Sequence, residues 1–169
     1  LIVTVDTGIT AIPETVLAKE LGLDIIICDH HACGAEVPQA NAVINPKQCD
    51  CRYPYSELSG TGVAFKLICA LSGGAEKPLR DYAEYVALAT IADVVPLKNE
   101  NRELARIGLQ KMQTAKIPWL DALFNVSAIK KESVSAGHIG FMIAPRINAA
   151  GRIGDVRTAL NLLCCDDEA

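Results

Sequence analysis

Apolar residues fall in short unbroken runs at the start of the chain and at helical spacing afterwards. Leu1-Ile2-Val3-Thr4-Val5 and Asp24-Ile25-Ile26-Ile27-Cys28 are β-branched stretches of strand length, and each leads straight into a carboxylate. Runs without polar alternation predict strands of a parallel sheet, covered on both faces in its centre. Between them, Pro13 stands early in a segment bearing Val16, Leu17, Ala18 and Leu21, with Gly22 behind it. Proline in a first turn and glycine after the last turn mark a helix. The order β-α-β makes the crossover right-handed. Ala42-Val43-Ile44-Asn45-Pro46 predicts a short third strand stopped by proline, and the polar stretch 47–57 a loop.

From there the period becomes helical. Ser59-Gly60-Thr61-Gly62 opens a helix to about Leu71, with apolar residues at 63, 64, 67, 68 and 71, and Gly73-Gly74 ends it. Further helices are predicted over about 79–92, 100–113 and 117–125, another after Ser135, and a last one over 155–164, with Ala144 to Arg152 as a separate small-residue and arginine segment. The expected fold class is α/β: a parallel-sheet part over about 1–58 and a mostly helical part over about 59–169, together one domain.

Composition narrows the function only a little. Half of the 169 residues are apolar and 21% are charged, which excludes a disordered chain. The net charge of −4 excludes a bulk cationic nucleic-acid binder but not a local basic groove. Seven cysteines, an odd number without a C-x-x-C pair, point to reduced thiols and a cytoplasmic protein. Cys33, Cys49 and Cys51 have poor spacing for zinc. No run of membrane-spanning length and no signal peptide is present, so no membrane partner is expected. The start inside a strand without Met, and the acidic finish Cys165-Asp166-Asp167-Glu168-Ala169, lead us to expect part of a longer protein.

Candidate chemistry gathers behind the strands. Asp29-His30-His31 follows the second run directly, and Asp6-Thr7-Gly8 follows the first. Ligand sites in parallel sheets lie beyond the carboxyl ends of strands, so carboxylate and imidazole groups are expected on one rim. Such donors suit Mn²⁺, Fe²⁺ or Zn²⁺, and carboxylates alone suit Mg²⁺. Asp93 stands between the apolar stretches 87–92 and 94–95; a carboxylate buried there would need a partner or a metal. Each has an ordinary alternative: helix caps for Asp6 and Asp29, solvated imidazoles, and a surface position for Asp93. Gly60, Thr61 and Gly62 could present backbone N–H groups to an anion, or simply allow close packing at a helix start. Arg146 and Arg152 flank Asn148 and Gly151 and could grip successive phosphates, or form surface ion pairs. His138 could contact a phosphate or be an ordinary partly buried histidine.

Taken in order, Val5-Asp6-Thr7-Gly8-Ile9, Cys28-Asp29-His30-His31, Gly60 to Phe65, Ala89 to Leu97 and Ala144 to Arg152 resemble the DHH phosphoesterase superfamily. Ala92 to Leu97 with Asn101-Arg102 and the arginine segment most resembles its RecJ-type exonucleases, and the likeness runs over almost the whole chain. The resemblance implies a parallel-sheet DHH domain that hydrolyses single-stranded DNA in the 5′-to-3′ direction with two Mn²⁺ or Mg²⁺ ions, in repair and recombination. It implies metal ligation by Asp6, His30 and Asp93, a ligating or orienting role for Asp29, and approach of His31 to the scissile phosphate. It further implies phosphate contacts by Arg146 and Arg152, and single-stranded DNA and repair proteins as partners. The family's first metal motif and its C-terminal substrate domain are not among these residues, so the isolated segment is expected to be inactive. A phosphodiesterase of short oligonucleotides or cyclic dinucleotides, and an inactive DHH scaffold, are the alternative functions.

Overall fold

The computed structural model describes residues 1–165, and the acidic finish from Asp166 to Ala169 lies outside the described residues. Three parallel strands, β1 (Ile2–Val5), β2 (Ile25–Cys28) and β3 (Ala42–Ile44), form a sheet in the order β1-β2-β3. The register sets Val5 against Cys28 and Cys28 against Ile44. Pairing continues one residue further: Asp6 N–H donates to the Cys28 carbonyl at 2.9 Å, and Asp29 N–H to the Ile44 carbonyl at 3.0 Å. The chain therefore leaves all three strands at the same edge, with Asp6, Asp29 and Asn45 next in line.

The continuous run of β2 is buried, as expected for the central strand, whereas β1 is an outer strand whose Ile2, Val3 and Val5 remain more than two-fifths exposed. Helix α1 (Ile12–Glu20) carries Pro13 in its first turn. Gly22 at φ +70° closes it in the left-handed conformation, and Leu23 N–H bonds back to the Ala18 carbonyl at 2.9 Å. Helix α2 (Gly60–Leu71) is capped by Ser59, whose Oγ accepts from Gly62 N–H at 3.1 Å.

Helix α3 (Glu76–Ala92) begins three residues earlier than its apolar period predicts. Pro78 lies in the first turn, where its missing N–H breaks no helical bond. Helices α4 (Asn99–Thr114) and α5 (Pro118–Val126) follow. The segment from Ala144 to Arg152, expected to stand apart from its neighbours, is helical instead. Short α6 (Ala136–His138), a π-helical turn (Ile139–Ile143) and α7 (Ala144–Ile153) run on without a break, because Pro145 occupies a first-turn position of α7 and the alanines favour helix. Helix α8 (Val156–Leu163) is capped by Asp155.

The chain packs as two units, and the division differs from the expected one at 58/59. Leu1–Asp81 with Val95–Asn101 form the first unit; Tyr82–Val94 and the chain from Arg102 onward form the second. Helix α2 belongs with the sheet because it packs on β1 and β2. In the second unit α3 and α4 lie flush: a Cβ on Gly108 would overlap the Ala83 carbonyl and Ala87 Cβ. Ala87, Met112, Trp119, Leu120, Phe124, Ile139 and Ile143 centre its core. Among the described residues, no helix is long and apolar enough to cross a membrane.

Candidate metal centre

Gly8 shapes the loop behind β1. Its φ is +113°, and a Cβ there would stand 2.7 Å from Thr4 Oγ1, so a side chain is excluded on both counts. The turn folds Ile9 back, and Ile9 N–H donates to Asp29 Oδ2 at 2.9 Å. The other Asp29 oxygen accepts from His30 N–H at 2.7 Å, His31 N–H at 3.2 Å and His31 Nδ1 at 2.7 Å. Burial pushes the Asp29 carboxyl up, but the donors from Ile9, His31 and His30 outweigh it and hold the group below the usual carboxylate range. Asp29 is 1% exposed and committed to the protein's own donors. Its hydrogen bonds fix the His31 ring and the backbone of the turn, the geometry of the expected orienting role.

His30 is held from one side. Its Nδ1 lies 3.0 Å from the Leu58 carbonyl oxygen, which can only accept, so Nδ1 carries the proton. In the neutral ring Nε2 then presents a lone pair, and this atom lies 3.0 Å from Asp6 Oδ1. Two electron-pair donors at that distance need positive charge at the junction, from a proton or from a cation. His31 is tied likewise: Asp29 takes the Nδ1 proton, leaving the Nε2 lone pair of a ring that is 59% exposed.

Asp6 sits at φ +61° in the left-handed region, a costly conformation of the sort that collects at functional sites. Its carboxylate lies against the start of α2, where a Cβ on Gly60 would overlap Asp6 Oδ1. The positive end of the α2 dipole favours the charge. Gly60 therefore makes room for a carboxylate, and Gly62 N–H is taken by Ser59. Of the two expectations for Gly60-Thr61-Gly62, close packing at a helix start describes Gly60 and capping describes Gly62.

One ligand atom each from Asp6, His30 and His31 lies within 4.8 Å of the other two, the one such cluster among the described residues. A carboxylate and two imidazoles match a borderline divalent ion such as Mn²⁺, Fe²⁺ or Zn²⁺, so the donor set fits a metal. Cys33, Cys49 and Cys51 form no comparable group among the described residues. Asp93 follows the end of α3 at the surface of the second unit, its N–H bonded to the Ala89 carbonyl at 2.9 Å. The next residue, Val94, is at φ +59°, a strained setting for a β-branched side chain.

The remaining expected residues lie on the helical run of the second unit. Ser135 Oγ is 3.3 Å from His138 Nδ1, and Arg146 Nη1 donates to the Met142 carbonyl at 2.6 Å. Pro145, Asn148, Ala149 and Arg152 line an open depression of about 310 Å³. Gly151 is not needed for close packing, since a Cβ would meet only Val156 Cγ2 at 3.9 Å. Sequence reasoning missed Asn45, which is 2% exposed: Nδ2 donates to the His31 carbonyl at 2.9 Å and Oδ1 accepts from Lys47 N–H at 2.8 Å. The only signal was a polar residue at the end of the third strand, beside the other two strand ends.

Residues 1–90 match the family model "DHH family, N-terminal domain". The chain belongs to the DHH family. It is 47% identical over 99% of its length to the single-stranded-DNA-specific exonuclease RecJ of Bacillus subtilis, covering 21% of that protein. It is 39% identical over 99% of its length to the RecJ of Escherichia coli, covering 31% of that one. The structure of RecJ with Mn²⁺ from Thermus thermophilus superposes with a TM-score of 0.83 at 37% identity, over 98% of this chain and 25% of that one. The chain thus spans about a fifth to a third of the curated DHH relatives.

Proposed function

We propose that the protein carrying this chain is a divalent-metal-dependent exonuclease that hydrolyses phosphodiester bonds of single-stranded DNA in the 5′-to-3′ direction. It would serve repair and recombination in the cytoplasm. The observation that carries this reading is the Asp6–His30–His31 cluster, where a Nδ1-protonated His30 turns its lone pair toward a carboxylate at the rim of a DHH-family sheet. The relatives named as single-stranded-DNA-specific exonucleases support it over nearly the whole chain, and relatives with Mn²⁺ and Mg²⁺ support the choice of ion.

In this reading Asp6 and His30 hold metal and His31 adjoins both, while a ligand role for Asp93 rests on the family resemblance alone. Two divalent ions, when bound, neutralise the phosphate, lower the pKa of an attacking water and stabilise the leaving oxygen. Asp29 fixes the His31 ring through Nδ1, so that Nε2 faces the scissile phosphate in one tautomer and one orientation. Asn45 holds the backbone of the same residue. Arg146 and Arg152 bind phosphates of the strand.

The test uses the full-length protein with Mn²⁺ and with a chelator. Its substrates are a long single strand labelled at either end, the matching duplex, a dinucleotide and a cyclic dinucleotide. Metal-dependent digestion of the single strand from its 5′ end is expected. Preferred cleavage of a dinucleotide would replace this reading with a small-substrate phosphodiesterase, and no cleavage of any substrate would leave a DHH scaffold.

A further inference from the structure

Phe141 is 87% exposed in the π-helical turn, while Ile139 and Ile143 on either side of it are fully buried. Two residues from each, Phe141 necessarily faces the other way. A lone exposed phenylalanine would call for no explanation, but its surroundings are unusual for this chain. Residues 136–153 contain no carboxylate in a protein of net charge −4, and the run carries Arg146 and Arg152. Arg146 is fixed through Nη1 to the Met142 carbonyl, the residue next to Phe141. In α7, Pro145, Asn148 and Arg152 recur at spacings of three and four, the period of one helix face. These three line the depression of about 310 Å³, with Ala149.

We propose that Phe141 is a stacking platform for a nucleobase of the single strand, with Arg146 and Arg152 on the same helical run engaging its phosphates. An aromatic face interleaved with cations is the arrangement that binds single strands without reading sequence, because every base has a π-face. Ile139 and Ile143, four residues apart, share the core face of this turn, and Phe141 between them is left on the solvent side. Phe141 thus adds a base contact to a set of residues that otherwise grips backbone alone, and it favours an unpaired strand, since a duplex offers no free base face in its interior.

This inference rests on the single-strand reading above, and the experiment separates the two. In the full-length protein, Phe141→Ala should weaken binding of a single-stranded oligonucleotide by roughly tenfold, the scale of one base–aromatic stack. Phe141→Trp should restore it, Phe141→Leu should not, and none should change the melting temperature. Against an oligonucleotide made abasic throughout, wild type and Phe141→Ala should bind equally. Arg152→Ala should weaken both strands alike and lower the salt dependence. Equal losses on normal and abasic strands, rescue by leucine, or a lower melting temperature with unchanged affinity would overturn the stacking role and point to burial of Phe141 by protein. Absence of salt-dependent single-strand binding by the wild type would overturn the functional reading itself.

Discussion

His30 Nε2 lies 3.0 Å from Asp6 Oδ1, while the other nitrogen of the same ring is fixed by the Leu58 carbonyl at 3.0 Å. The two ends of the imidazole thus differ: one is satisfied by backbone, and the other is aimed at a carboxylate that also donates electrons. The strained Asp6 backbone and the missing Cβ of Gly60 both serve that approach.

A cation at this junction should stabilise the folded chain. Mn²⁺ at a hundredfold excess over Kd is expected to stabilise the fold by about 3 kcal/mol relative to chelator, read as a higher melting temperature. Asp6→Ala and His30→Ala should each remove most of that increment. A Mn²⁺ increment that survives both substitutions would place the ion elsewhere.

Gly60→Ala puts a methyl group where Asp6 Oδ1 now sits. The carboxylate has to swing away, since its neighbour is the backbone of the α2 start rather than a flexible tip. Nuclease activity should fall by about a hundredfold or more, with Mn²⁺ affinity. Wild-type Mn²⁺ affinity in Gly60→Ala, measured by titration, would show that this glycine serves only the fold.

In the second unit, Lys111 Nζ is 2.5 Å from Glu84 Oε2, and Glu84 is 5% exposed. Lys111→Met leaves a buried carboxylate without its cation and should cost about 3 kcal/mol in denaturant unfolding. Adding Glu84→Leu should recover most of that loss. A cost well under about 1 kcal/mol for Lys111→Met alone would mean that solvent reaches Glu84.

The Glu100 carboxylate accepts from Lys66 at 2.5 Å and from Tyr53 at 2.6 Å. Burial raises its pKa, but the Lys66 and Tyr53 bonds outweigh burial and leave it below the ordinary value. A carboxyl lowered by folding stabilises the fold above its unfolded pKa, and that contribution disappears as pH falls through the folded value. Burial lowers the Lys66 pKa, yet its partners leave it raised, so its share is lost only as pH rises through the folded lysine value. The pair is therefore intact near neutrality. Both groups are about one-third exposed, which limits the contribution to about 1 kcal/mol. Glu100→Gln should lower thermal stability by about that much near pH 7, and the gap to wild type should close as pH falls through the lowered Glu100 value. A gap independent of pH would assign the loss to packing.

Local chemistry was enough to place the strands, most helices and the Asp-His-His turn. β-Branched runs, first-turn prolines and stop glycines act over a few residues, and their effect is readable without the fold. The strand-end rule then carried Asp6 and His30 to one rim, where the described structure has them. What each group does there was decided by bonds between distant parts of the chain. Asp29 is held in place partly by Ile9, 20 positions away, which supplies one of its donors. The His30 tautomer is set by Leu58, 28 positions away, and the His31 backbone by Asn45 across the β2–β3 edge. Gly60 reads in sequence as either a phosphate loop or a close-packing position, and its seat for the Asp6 carboxylate is set only when α2 packs on the sheet. Period and propensity describe a residue's own turn of chain, whereas a tautomer, a lost Cβ and an exposed Phe141 depend on what packing brings beside them.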